Sequence, residues 1–154
     1  MDNQEARARL LNDINKELPP GVDWKAGARR YVQHYFEKSG KEGTEYYSLT
    51  KPFSIFGSDI ATNEMLWYFY NFINLVGLIR PVIGAKVLDV ACGGGWVSHY
   101  LTKGGCKTLG IDISADFIAL AKRRLLEDKT LKITNQQVEA MFTVLDLEDE
   151  ALPP

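Results

Sequence analysis

The chain has 154 residues, 45% of them hydrophobic and 25% charged, and its 18 basic and 20 acidic residues give a net charge of −2. These values are typical of one globular domain, with or without an appendage, and the net charge gives no overall electrostatic signal for nucleic-acid binding, which leaves a local basic patch open. The two cysteines, Cys92 and Cys106, are too few for a disulfide framework, and the polar N-terminus is unlike a signal peptide, so we expect a cytoplasmic protein.

The first eighty residues predict a helical region. Residues 4–18 have an amphipathic helical pattern that ends at a Pro-Pro-Gly sequence. A second helix is expected to begin after the capping residue Asp23 and to end at Gly40. Residues 40–59, with several glycines and a proline, predict a loop. We therefore expect residues 1–80 to form a helical N-terminal cap.

Residues 65–79 are apolar almost all round and raise the question of a membrane span. The segment has only 15 residues and includes Asn71 and Asn74, whereas a span needs about 20 consecutive apolar residues. A buried helix is the prediction, and an interfacial or dimer-forming helix is the alternative.

From residue 81 the sequence pattern changes to alternating strands and helices. Strands are predicted at 85–91, 107–114 and 138–146, with a helix at 95–105 and another after the capping residue Ser114. This order predicts βαβ units and a parallel sheet, and therefore an α/β fold. The basic residues at 122–124 are expected to lie on a solvated helix face.

A glycine turn and three acids form the candidate site. Gly93, Gly94 and Gly95 follow the first strand and allow a ligand to approach the backbone. Asp89, Asp112 and Asp146 lie near the ends of the three strands, where parallel sheets bind ligands. An acid 23 residues after the first one, at the end of the second strand, suits two ribose hydroxyls. Asp89 beside the turn disfavours a pyrophosphate and favours a ligand with an ammonium group.

Three segments, VLDVACGGGW, GIDIS and FTVLDLEDEALP, resemble consecutive motifs of the class I S-adenosylmethionine-dependent methyltransferases. The resemblance covers about residues 85–154 and implies an incomplete Rossmann-like methyltransferase fold, supplied by residues 81–154, with S-adenosyl-L-methionine as cofactor. Ala91 stands where the family more often has glycine. The implied cofactor-binding residues are Asp89, Ala91, Cys92 through its backbone, Gly93, Gly95, Asp112 at the ribose, Ile113, Asp146 at the adenine, and Leu147.

The resemblance implies methyl transfer to an unidentified acceptor, with a small molecule favoured, and it assigns neither a catalytic base nor a metal site. Lid candidates are Tyr46, Tyr47, Lys51 and Phe53. Two alternatives stay open. A nicotinamide-dependent oxidoreductase would need the spacing Gly-x-Gly-x-x-Gly, but Ser98 stands at the third position. The other alternative is a non-catalytic, truncated methyltransferase-like module.

The family's strand order, 3-2-1-4-5-7-6, places its first strand at the centre of the sheet, whereas this chain supplies only strands 3, 2 and 1. One edge of the first strand is therefore expected to lack a partner, and open edges favour association. Our hypothesis is that the chain is a fragment of a longer methyltransferase, or that another copy or a partner chain covers this edge.

Overall fold

A computed structural model describes residues 23–40, 45, 49–53 and 59–152. Three helices precede a region in which strands and helices alternate. The helices are α1 (Trp24–Arg29), α2 (Tyr31–Ser39) and α3 (Asp59–Ile79). The α/β region consists of β1 (Lys86–Val90), α4 (Trp96–Lys103), β2 (Lys107–Asp112), α5 (Ala115–Glu127), α6 (Asn135–Met141) and β3 (Phe142–Val144).

The helix predicted after Asp23 is present, but it is divided in two. The Asp23 carboxylate accepts a hydrogen bond from the backbone N–H of Ala26 at 2.9 Å and so caps α1. Arg30, with φ −95° and ψ 4°, separates α1 from α2, which ends at Gly40 with φ 76°. The helix predicted at 4–18 lies outside the described residues.

Helix α3 contains the apolar segment at 65–79. None of the helices in the described ranges is long and apolar enough to cross a membrane. The helix packs through aromatic side chains on α4, where Trp96 contacts Tyr68 and Phe72 at centroid distances of 5.6 Å. Other side chains of α3 are exposed, including Trp67 at 62% and Ile73 at 65%.

The three strands form one parallel sheet in the order β1-β2-β3. Leu88 is opposite Leu109 in β1 and β2, and Gly110 is opposite Phe142 in β2 and β3. The prediction of an α/β, Rossmann-like fold with its first three parallel strands, preceded by helices, is confirmed. Within the described residues β1 pairs with β2 alone, and Leu88 and Val90 of β1 are 42% and 54% exposed.

The predicted boundaries of the third strand were wrong. Residues 135–141 are helix α6, and only Phe142–Val144 are extended. The reason is a capping box, in which the Thr134 side chain accepts from the Gln137 N–H while the Gln137 side chain accepts from the Thr134 N–H. Val138 of this helix is fully buried, so tertiary packing stabilises it as well.

The core lies where α5 and α6 pack against the sheet. Its buried residues come from the glycine turn, from both helices and from β3: Cys92, Ile118, Ala121, Leu125, Val138 and Phe142. The candidate site is therefore built directly on the core, which fixes the turn and the strand ends relative to one another. The division into a cap at 1–80 and an α/β domain at 81–154 stays a prediction.

Candidate functional site

The turn after β1 uses backbone conformations that favour glycine. Ala91, Gly93 and Gly95 have φ values of 56°, 52° and 68°, in the left-handed region. This region costs a residue with a Cβ roughly 1–2 kcal/mol, so Ala91 carries strain that glycine would not. The family's preference for glycine at this position therefore has a conformational reason. The Cys92 N–H donates to the carbonyl of Ile111 at 3.0 Å, which ties the start of the turn to β2.

Two of the glycines have different physical reasons for lacking a side chain. A Cβ on Gly95 would lie 2.7 Å from the Ala121 Cβ and 3.1 Å from the Phe142 ring, so this glycine is required by packing. A Cβ on Gly93 would meet no atom within 4 Å. Gly93 therefore presents backbone to open space, which is where a ligand can approach it.

Asp112 connects the glycine turn to the end of the second strand. Its Oδ2 accepts a hydrogen bond from the Gly93 N–H at 2.9 Å, and its Oδ1 accepts one from the Ser114 N–H at 2.8 Å. Each carboxylate oxygen has a further lone pair, so these two bonds orient the group without exhausting its capacity to accept. The structure thus holds a half-buried carboxylate in fixed orientation beside the open side of Gly93.

Asp89 lies on the other flank of the turn. Its Oδ2 accepts a hydrogen bond from the Ser98 hydroxyl at 2.7 Å. Burial raises the pKa of the Asp89 carboxyl, the Ser98 hydrogen bonds oppose that rise, and the nearby charge of Asp112 adds to it. Two carboxylates thus flank the turn, which makes its surroundings unfavourable for a phosphate and favourable for a cation.

Asp146 follows β3 and is only 7% exposed. Its Oδ2 lies 2.8 Å from the Lys25 Nζ and 3.3 Å from an Arg29 guanidinium nitrogen, and its Oδ1 accepts from the Glu148 N–H at 3.2 Å. The hydrogen bond from Lys25 holds the pKa of the Asp146 carboxyl below its usual range, against the opposing effect of burial. The neighbouring Leu147 is 44% exposed.

The remaining predicted positions lie in the same part of the fold. The Cys92 side chain belongs to the core, and burial raises the pKa of its thiol, which disfavours the nucleophilic thiolate. Ile113 is half-buried between Asp112 and the buried Ser114. The Leu145 N–H donates to the Asp112 carbonyl at 3.0 Å, so the ends of β2 and β3 are also joined. The structure therefore brings all the predicted positions to one edge of the sheet.

Arg124 was wrongly predicted to lie on a solvated helix face. It is only 5% exposed, and its guanidinium donates to the carbonyls of Gly94 and Lys51, both at 2.9 Å. Burial lowers the pKa of Arg124 to about 10. The side chain therefore ties the glycine turn to the segment before α3, a role that charge and spacing alone do not indicate.

Lys25 and Arg29 were also missed as site residues. They lie four residues apart on α1 and so share one helical face, and the acidic run that begins at Asp146 is the complementary signal. Of the predicted lid residues, Tyr46 and Tyr47 lie outside the described residues. The Lys51 Nζ lies 4.7 Å above the Tyr68 ring, and the ring of the half-exposed Phe53 contacts Phe69 at 5.0 Å.

Comparisons with known proteins agree with the resemblance seen in the motifs. Residues 87–152 match the family model described as a methyltransferase domain. Several ubiquinone biosynthesis O-methyltransferases are similar in sequence to this chain over a stretch of comparable length. That of Albidiferax ferrireducens is 34% identical over 58 residues, covering 38% of this chain and 23% of that protein, and that of Pasteurella multocida is 44% identical over 55 residues, covering 36% and 22%.

A solved structure supports the fold. The crystal structure of magnesium protoporphyrin IX methyltransferase from Synechocystis, with bound SAM, superposes with a TM-score of 0.61 at 20% identity, covering 87% of this chain and 60% of that one. The chain thus matches under a quarter of the length of the two curated relatives. Among the described residues no group of His, Cys, Asp and Glu side chains is arranged to hold a metal ion.

Proposed function

We propose that this chain, whose residues 87–152 match the family model described as a methyltransferase domain, is of the class I S-adenosylmethionine-dependent type, binds S-adenosylmethionine at the carboxyl ends of its strands and supports methyl transfer. One observation carries the proposal: the Asp112 carboxylate is hydrogen-bonded to the Gly93 N–H, beside the open side of that glycine. An acceptor for ribose hydroxyls, the Asp112 carboxylate, and a backbone surface for the rest of the ligand are thereby held together as one unit.

The geometry fits this cofactor at two of its parts. The two bonds that orient Asp112 leave it able to accept from the two hydroxyls of a ribose. Asp89 and the open backbone at Gly93 suit the amino acid end, since that end carries an ammonium group and no phosphate. The proposed binding residues are Asp89, Ala91, Cys92, Gly93, Gly95, Asp112, Ile113, Asp146 and Leu147.

When bound, S-adenosylmethionine supplies a methyl group on a sulfonium that disperses its positive charge during transfer. The residues of this chain contribute to that reaction by holding the cofactor in a fixed position. The glycine turn fixes the backbone against which the ligand lies, and Asp112 fixes its rotation about the ribose. The carboxylates of Asp89 and Asp112 keep the potential beside the turn negative, which favours a cationic donor.

The acceptor that we propose is a hydroxyl oxygen of a small molecule. The support comes from the matched relatives, which are named as O-methyltransferases of ubiquinone biosynthesis. A nicotinamide cofactor is not favoured, because Ser98 is buried and donates to Asp89 at the position where the dinucleotide pattern needs glycine.

Isothermal titration calorimetry with S-adenosylmethionine, S-adenosylhomocysteine and NAD tests the proposal. We expect the two sulfur compounds to bind, and Asp112→Ala to weaken their binding by roughly 1–3 kcal/mol because the ribose hydroxyls lose their acceptor. Asp116→Ala is the matched control, since Asp116 is an exposed acid at the start of α5 that lies outside the proposed site. Binding of NAD alone, or equal affinities of the Asp112→Ala variant and the unaltered chain, would reject the assignment.

We further propose that a second copy of this chain or a partner chain covers the open edge of β1. The support is the exposure of Leu88 and Val90 on a strand that has one partner among the described residues. Sedimentation velocity is the measurement, and a stable monomer with a cooperative unfolding transition would contradict the expectation.

A further inference from the structure

Helix α1 places two cations on the carboxylate at the end of β3. Lys25 and Arg29 are one helical turn apart, so both side chains leave the same face of the helix. Both reach the same oxygen, Asp146 Oδ2, at 2.8 Å and 3.3 Å. The other oxygen, Oδ1, accepts from the Glu148 N–H at 3.2 Å.

These contacts conflict with the adenine-binding role that the family resemblance implies for Asp146. An adenine amino group is a hydrogen-bond donor, and it would need one of the same carboxylate oxygens. Asp146 is 7% exposed and already has three donors around its two oxygens, so little of the carboxylate is accessible from solvent. The ribose carboxylate, Asp112, differs in this respect, because the groups that donate to it are the backbone N–H groups of Gly93 and Ser114.

We propose that Lys25 and Arg29 form a latch over the nucleobase end of the site, and that this latch must release Asp146 before the amino group of an adenine can bind there. The inference rests on the proposed function, since it takes a purine nucleoside as the ligand. It assigns to α1 a control of access to one end of the site, and it leaves the ribose and amino acid ends at Asp112 and Gly93 open.

The surroundings of the latch allow release without loss of the whole helix. Lys25 lies 3.1 Å from a Glu148 oxygen and 2.8 Å from an Asp149 oxygen, so it keeps anionic partners after leaving Asp146. The Arg29 side chain is 51% exposed and can be solvated again. The helix has other contacts with the α/β region, among them a hydrogen bond of 3.5 Å from the Ser114 hydroxyl to the Arg29 carbonyl.

The test compares two ligands that differ only in the nucleobase. S-adenosylhomocysteine carries adenine, and S-ribosylhomocysteine has the ribose and amino acid ends without a base. In the Lys25→Met/Arg29→Met variant we expect S-adenosylhomocysteine to bind about fivefold tighter, since two ion pairs of modest strength no longer compete for Asp146. The affinity for S-ribosylhomocysteine should not change, because that ligand does not need Asp146.

The matched control is Lys122→Met, which removes a lysine paired with Glu139 on α6 and leaves the strand ends untouched. Both affinities should equal those of the unaltered chain. Unchanged binding of S-adenosylhomocysteine in the double variant would overturn the latch. Weaker binding would also overturn it, because Lys25 and Arg29 would then be ligand contacts.

The same titrations distinguish failure of the latch from failure of the proposed function. If S-adenosylhomocysteine binds the unaltered chain and Asp112→Ala weakens it, an insensitive double variant rejects the latch alone. If no variant, with the latch present or removed, binds S-adenosylhomocysteine, the proposed function fails and the latch fails with it.

Discussion

The α/β region and the helices before it are stabilised in different ways. In the α/β region the helices bury apolar side chains against the sheet, and Leu125, Val138 and Phe142 are at most 2% exposed. Among the described residues of the N-terminal region, Val32 is buried to the same degree, while Trp67 and Tyr70 of α3 are 62% and 70% exposed. Burial of apolar area is the main source of stability, so the α/β region carries most of it.

Individual side-chain ties join the N-terminal helices to the α/β region. Lys25 pairs with Asp146, Arg124 reaches the Lys51 carbonyl, and Trp96 packs against α3. Contacts of this kind can open locally without unfolding the core. The site therefore combines one part that is built on the core with another part that individual side-chain contacts hold to the N-terminal helices.

The largest expected effect is a loss of stability on truncating a core side chain of the α/β region, compared with an exposed side chain of the N-terminal region. Phe142→Ala should lower the free energy of unfolding by about 3–5 kcal/mol, because it leaves a cavity where the ring packs against the glycine turn and β2. Phe53→Ala is the control in the N-terminal region, where the side chain is 54% exposed, and its effect should be much smaller. Urea denaturation measures both. Equal effects would remove the distinction between the regions.

The next largest effect concerns Arg124, whose hydrogen bonds join the N-terminal region to the α/β region. Arg124→Ala should lower the free energy of unfolding by about 1–3 kcal/mol, since the partly buried carbonyls of Gly94 and Lys51 lose their donor. Amide hydrogen exchange should also become faster in residues 51–53, which the Arg124 side chain joins to the glycine turn. The neighbouring Arg123 pairs with Glu45 and Glu127 at the surface, so Arg123→Ala should cost under about 1 kcal/mol. Similar costs for the two variants would contradict a bridging role for Arg124.

The smallest effect concerns the two histidines, one in each region. Burial lowers the pKa of His99, although its hydrogen bond to Asp128 opposes the change. The unfolded chain then binds a proton more readily than the folded one, so stability should fall as the pH falls through the ordinary histidine pKa of about 6.5.

The His99→Gln variant measures that contribution. Between neutral pH and about pH 5.5, below the ordinary histidine value, its free energy of unfolding should depend less on pH than that of the unaltered chain. His34→Gln is the control, because His34 is exposed on α2. The expectation fails if the two variants show the same pH dependence. Asp128, whose pKa is held below its usual range first by Lys103, adds a loss of stability only at more acidic pH.

Local signals in the sequence predicted most of the α/β region. Apolar runs, the glycine turn and the caps at Asp23 and Ser114 are short-range patterns, and the structure has the corresponding strands, turn and helices. The third strand was predicted too long, because residues 138–141 have a strand-like composition while a capping box at Thr134 and Gln137 makes them helical. The buried Arg124 was missed because its partners are backbone carbonyls, which no residue type marks in advance.

The sequence by itself determined the succession of strands and helices along the α/β region and the three acids near the strand ends, since periodicity and spacing are properties of neighbouring residues. Its motifs also led to the family resemblance with which the methyltransferase domain model that matches residues 87–152 agrees. Only the tertiary structure decided that Asp112 is held by the turn and that Asp146 is held by cations from α1. The reason is physical: Lys25 and Asp146 are more than a hundred residues apart, and an ion pair between them exists only once the chain has folded.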